Sequence, residues 1–146
     1  HFKSVNDTYG HPVGDQVIRS LAWLLKGRLR SSDLIGRYGG EEFILALQDV
    51  GPEEAWVVLD RIRADFARLP HVHAGGAMYA TFSAGLAAIP DFTAATDLVN
   101  KADEALLEAK RRGRNRVERS GVAAATAMQE TADFMVGGDS LQLNPV

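Results

Sequence analysis

With 146 residues and a formal net charge of -3, the chain amounts to a single domain and offers no electrostatic reason to bind a nucleic-acid polymer. A hydrophobic content of 46% and a charged content of 24% are ordinary globular values. Cysteine is absent, which excludes disulfides and thiolate metal sites, and no apolar run approaches membrane-spanning length. A cytoplasmic setting without membrane contact from this segment is the expectation. The opening His1-Phe2-Lys3 has neither an initiator methionine nor a signal-peptide pattern, and reads as the interior of a longer protein.

In chain order, Asn6-Asp7 has the composition of a turn, and Asp15 suits the N-cap of a helix. That helix is expected over residues 15–30, with Val17, Leu21, Leu24, Leu25 and Leu29 on one stripe. Strands are expected over 34–38 and 42–47, joined by Gly39-Gly40 as a tight hairpin, because paired glycines tolerate the positive φ of a two-residue turn. A second helix should run from Pro52 to about Leu69. Pro52 fits its first position, Glu53 and Glu54 favour the positive end of the dipole, and Ala55, Leu59, Ile62 and Phe66 form the stripe.

His71 to Gly76 reads as loop, and Ala77 to Ile89 as one or two strand segments around Gly85. A third helix should begin near Thr96 as N-cap and stop at Gly113, turning Leu98, Ala102, Ala105, Leu106 and Ala109 inward. Asn115 to Glu118 suits a short final strand. Residues 120–146 carry few charges and no sustained period, and read as a tail in which Met128 to Met135 has room for a short helix. Alternating helices and hairpins point to an α+β fold, with a mainly antiparallel central sheet flanked by helices.

The chemistry concentrates in few places. Glu41 and Glu42 repel one another on the hairpin, which is poor for folding but suits a hard divalent cation held jointly with substrate phosphates. The ordinary alternative is two solvated glutamates. No G-x-x-x-x-G-K-[ST] loop is present, so phosphate chemistry here would need such ions. Lys110 and Arg114 lie four apart near a helix end; like Arg111 and Arg112, they would also complement the helix dipole. Arg30 and Asp33, as an exposed pair at a helix end, would contribute under ~1 kcal/mol. His11, His71 and His73 do not form a metal set; loop or structural roles are expected for them.

Three segments in order carry a resemblance. They are His1-Phe2-Lys3-Ser4-Val5-Asn6-Asp7-Thr8-Tyr9-Gly10-His11-Pro12-Val13-Gly14-Asp15, then Gly39-Gly40-Glu41-Glu42-Phe43, then Ala102-Asp103-Glu104-Ala105-Leu106 followed by Ala109-Lys110-Arg111-Arg112-Gly113-Arg114-Asn115. Together they resemble the GGDEF family of bacterial diguanylate cyclases, over residues 1 to about 119. The resemblance implies a sheet core like that of adenylyl cyclases and polymerase palm domains. It implies a catalytic domain over 1–119 and a tail over 120–146. It also implies that the family's first strand, which ends in a metal-binding aspartate, belongs before His1.

The implied activity condenses two GTP into cyclic di-GMP and two pyrophosphates at a homodimer interface, under an upstream sensory or receiver domain. By the same resemblance Glu41 is a metal ligand required for catalysis and Glu42 assists it, with two Mg²⁺ or Mn²⁺ ions per site. Asn6 and Asp15 would read the guanine edge, where a carboxylate accepts from N1–H and N2–H₂. Gly39 and Gly40 would let substrate lie on the backbone, and the amides of Phe2 and Lys3 would meet phosphate. Lys110 and Arg114 would reach the β/γ end. Arg30 and Asp33, with five residues between Asp33 and Gly39, match an inhibitory site for an intercalated dimer of cyclic di-GMP. Leu107 departs from the tyrosine of many relatives, and a packing change is expected there. The alternative is a GGDEF-like module that binds cyclic di-GMP or GTP without turnover.

Overall fold

Two helices meet at Gly10, whose φ of 83° turns the chain between α1 (Phe2–Tyr9) and α2 (His11–Arg28). The structure is a computed structural model that describes residues 2–89 and 94–121. Residues 122–146, with the proposed short helix at 128–135, lie outside the described residues. The chain continues through β1 (Leu34–Gly39), β2 (Glu42–Ala46), α3 (Pro52–Ala67), β3 (Pro70–His73), β4 (Gly76–Tyr79), β5 (Ala84–Leu86), α4 (Ala95–Arg111) and β6 (Val117–Arg119).

The class is α+β. Among the described residues the strands pair as three two-stranded ladders: β1–β2 and β3–β4 antiparallel, β5–β6 parallel. The core joins Val17, Leu21 and Leu25 of α2 to Ile62 and Phe66 of α3 and Met78 of β4. Phe43 and Leu45, on one face of β2, pack against this cluster, and Glu42, Ile44 and Ala46 on the other face are exposed. The period of two therefore aims Glu42 away from the core.

The expected stripe of α3 is its buried face: Ala55, Leu59, Ile62 and Phe66. On α2 the buried set is Gly14, Val17, Ile18, Leu21 and Leu25, with Leu24 and Leu29 partly buried beside it. Several local expectations are corrected. Asn6-Asp7 is helical, inside α1, and no turn forms there. Asp15 does not cap α2: Gly10 is the N-cap and Asp15 lies in the second turn, because Pro12 starts the helix earlier. Thr96 is likewise inside α4, whose N-cap is Ala94 with no side-chain capping bond. His71 to Gly76 is not a loop. Its alternation buries His71 opposite Met78 and exposes Val72, so it pairs as β3 and the start of β4. His73 is therefore in β3, and His11 is the first residue of α2. Leu107 is 56% exposed, so the packing change expected there has no packed surroundings to act on.

No helix among the described residues is long and apolar enough to cross a membrane.

Candidate functional site

The hairpin turn is shifted by one residue from its expected position. Gly39 pairs with Glu42, which leaves Gly40 and Glu41 as the turn, and only Gly40 of the two has positive φ, at 48°. A register irregularity between Arg37 and Gly39 accompanies it. Arg37 locks the turn: its Nε and Nη2 both donate to the Gly40 carbonyl, at 2.8 and 2.5 Å. This side chain was missed in the sequence, where nothing distinguishes Arg37 from a solvated strand residue. A Cβ added at Gly39 or Gly40 would meet nothing within 4 Å, so the space above the turn is open to a ligand. Glu41 projects from the turn, exposed and without an ion pair among the described residues.

Helix α4 reaches the same place from far along the chain. Its Lys110 Nζ lies 3.9 Å from Glu42 Oε1, with both side chains about half exposed. Beyond Lys110 the helix ends in a Schellman-type closure, with the Arg114 N–H donating to the Ala109 carbonyl at 2.9 Å and Gly113 at a φ of 106°. Gly113 thus terminates the helix as expected. The basic residues then separate. Arg111 pairs with Glu108, and Arg112 and Arg116 with Glu118, whereas Arg114 makes no ion pair among the described residues.

The α1–α2 corner brings Asn6 against the segment bearing Asp15. An ideal Cβ on Gly14 would stand 1.9 Å from Asn6 Oδ1 and 3.1 Å from Phe2 Cζ, so the missing side chain is what lets α1 lie so close. Asp15 is exposed beside this contact, and Phe2 and Lys3 occupy the first turn of α1, where backbone N–H groups have no intrahelical acceptor.

Arg30 and Asp33 sit beyond the other end of α2, about 20 Å from Asp15 at ~1.5 Å rise per residue. Asp33 Oδ2 accepts from the Arg30 backbone N–H at 2.8 Å, and its Oδ1 from the Gln48 N–H at 3.2 Å. Asp33 thus ties two loops together. The Arg30 guanidinium reaches Glu54 of α3 at 3.3 Å, and Arg30 and Asp33 both border a cleft with Leu47, Gln48, Val50 and Val58. A larger hollow, lined by Gln16, Arg19, Ser20, Trp23 and Leu69, contains none of these candidates.

The donor set at the hairpin suits a hard divalent cation. Glu41 and Glu42 offer carboxylate oxygens only, and no cluster of three or more His, Cys, Asp or Glu occurs among the described residues. Two carboxylates completed by phosphates and water match the way Mg²⁺ is held with nucleotides.

Comparison with known proteins shows the family and the fold of the chain. The family described as "Diguanylate cyclase, GGDEF domain" matches residues 1–116. Diguanylate cyclase DgcP of Pseudomonas aeruginosa is 42% identical over 118 residues, covering 81% of this chain and 18% of its own. Diguanylate cyclase A of Treponema denticola is 40% identical over 117 residues, covering 80% and 32%. The chain thus spans less than a third of either relative's length. Among solved structures, the coiled coil and GGDEF domain of DgcB from Caulobacter crescentus in complex with c-di-GMP superposes with a TM-score of 0.76 at 31% identity, covering 82% of this chain and 64% of that one. The active GGEEF domain of a diguanylate cyclase from Vibrio cholerae gives a TM-score of 0.73 at 35% identity, over 82% and 76%.

Proposed function

The chain belongs to the GGDEF family of diguanylate cyclase domains, and on that premise we propose that it condenses two GTP into cyclic di-GMP with release of two pyrophosphates. The observation that carries the reading is the meeting of Glu42 with Lys110, which joins the acidic hairpin to the basic end of α4. A carboxylate pair whose second member meets Lys110, with Arg114 four residues further on making no ion pair among the described residues, matches a metal-bound triphosphate better than a structural network, which would leave no charge over.

In this reading Asn6 and Asp15 bind the guanine edge and orient the ribose. The Phe2 and Lys3 amides, the open backbone at Gly39-Gly40, Lys110 and Arg114 fix the phosphates in line, so that the 3′-hydroxyl of one GTP meets the α-phosphate of the other and pyrophosphate leaves. Divalent ions, Mg²⁺ or Mn²⁺, held by Glu41 and Glu42, would supply Lewis acidity at the α-phosphate and a more acidic hydroxyl. One domain holds one GTP, so catalysis needs a homodimer with two sites facing. Residues 1–119 form the catalytic domain. An upstream sensory or receiver domain sets the pairing, in the cytoplasm where GTP is found. Arg30 and Asp33 take the product in feedback, at the opposite end of α2 from the guanine contacts.

Incubation of the intact protein with GTP and Mg²⁺ tests the reading. Cyclic di-GMP and pyrophosphate should appear in a ratio of one to two, at a rate that rises more steeply than protein concentration. Tight GTP or cyclic di-GMP binding with no product would instead assign a binding module.

A further inference from the structure

Gly113, Arg114 and Asn115 form an unbroken left-handed run, with φ of 106°, 62° and 47°. Gly113 is at home there and asparagine tolerates it, but the Cβ of Arg114 opposes this conformation, and three such residues in succession persist only where their surroundings hold them. The restraints are visible. The Asn115 N–H donates to Ser83 Oγ at 3.1 Å, and Asn115 Oδ1 accepts from Arg63 Nη1 of α3 at 2.9 Å. Arg63 is itself fixed: its side chain is 18% exposed, and its Nε donates to Asp60 Oδ1 at 2.6 Å. On the other side, the Arg114 N–H is tied to the Ala109 carbonyl.

Arg114 is therefore clamped at its backbone from both directions, and its guanidinium stays without an ion pair among the described residues. We propose that Arg63 and Ser83 are positioning residues for Arg114, acting through Asn115 to aim its guanidinium at the β/γ end of a bound nucleoside triphosphate. The inference rests on the phosphate-binding role of Arg114 given above. An arginine whose backbone is fixed in advance loses less freedom when it forks onto phosphate oxygens. Released from its clamp, the segment relaxes toward right-handed φ and turns the Cα–Cβ bond of Arg114 elsewhere.

The test measures dissociation constants of the intact protein for an α,β-methylene analogue of GTP, which cannot lose pyrophosphate, and for GMP, which lacks the β and γ phosphates. Arg63→Met and Ser83→Ala should each weaken the analogue about fivefold, the equivalent of one lost hydrogen bond. GMP affinity should stay within about twofold, because the guanine contacts lie elsewhere. A merely structural role would lower both affinities in proportion, or neither, and either result overturns the inference. Ser83→Ala removes one hydroxyl and keeps the question answerable if Arg63→Met fails to fold. Arg114→Ala separates the two levels of the argument. If it leaves the analogue-to-GMP ratio unchanged, the phosphate role of Arg114 falls and the positioning role with it. If it lowers the ratio while Arg63→Met and Ser83→Ala do not, only the positioning role falls.

Discussion

Lys110 and Glu42 neutralise one another across the fold, Nζ to Oε1 at 3.9 Å, although one ends a helix and the other starts a strand far away in the chain. Both side chains are about half exposed, so the pair contributes under ~1 kcal/mol to stability. The pair sets Glu42, the second of the hairpin acids, beside a cation. Lys110→Ala should leave the urea midpoint nearly unchanged and weaken GTP binding about tenfold, a charged hydrogen bond being worth ~1.5–3 kcal/mol. Titration with GTP beside a denaturant curve checks both halves.

Glu41 projects from the turn without structural partners among the described residues. Glu41→Ala should abolish cyclic di-GMP formation and leave the melting temperature within about 2 °C, surface changes usually lying within ±0.5 kcal/mol. Product formed at the parental rate would remove Glu41 from the catalytic set.

Two glycines respond differently to the same substitution. At Gly14 the added Cβ meets the far end of the Asn6 side chain, which is free to rotate away. Gly14→Ala should therefore fold and bind GTP less tightly. At Gly85 the Cβ would stand 1.9 Å from the Ala102 carbonyl oxygen and 2.3 Å from the Leu106 nitrogen, both backbone atoms. Gly85→Ala should cost ~2 kcal/mol or more, at the upper end of overpacking effects. Comparing thermal melts and GTP titrations of the two variants distinguishes the cases.

Arg30 and Asp33 should separate in the same way. Arg30→Ala removes an exposed side chain paired, among the described residues, only with Glu54, and should relieve the slowing of the reaction as cyclic di-GMP accumulates. Asp33→Ala removes the acceptor for the Arg30 and Gln48 amides, and should in addition lower stability by about 1–2 kcal/mol. Persistent, GTP-competitive inhibition in Arg30→Ala would place the product in the GTP half-site instead.

His71 gives a pH dependence. It is 1% exposed, its ring tilted by 56° against Phe66 at 5.5 Å, with no hydrogen-bond partner for either ring nitrogen among the described residues, and burial pushes its pKa below the usual value. The unfolded chain, at about 6.5, takes up the proton first. Stability is therefore complete above about pH 6.5 and declines as pH falls from there toward the lower folded value. Urea midpoints at pH 7.5 and 5.0 should show the loss, and His71→Phe should flatten this part of the profile. An unchanged slope in the variant would assign it to other groups.

The sequence made α3 legible because four apolar residues at helical spacing needed no help from the rest of the chain. It misjudged His71 to Gly76 because histidine and glycine suggest a loop locally, whereas the pairing with Met78 is a tertiary fact. Asp15 and Thr96 were misread as caps for a related reason: cap chemistry is common, and the true helix starts lay upstream at Gly10 and Ala94. Glu41, Glu42, Lys110 and Arg114 were visible through their motif. Arg37, Arg63 and Ser83 were not, since each acts on a backbone or side-chain partner that only folding brings near.

The contact at Gly85 has a mechanical consequence. With β5 seated on the backbone of α4 at Gly85, no side chain of the strand separates the two elements there. The parallel pairing of β5 with β6 adds the last strand to the same unit. Since α4 also carries Lys110 to the hairpin, any shift of this unit would change the 3.9 Å distance between Lys110 and Glu42.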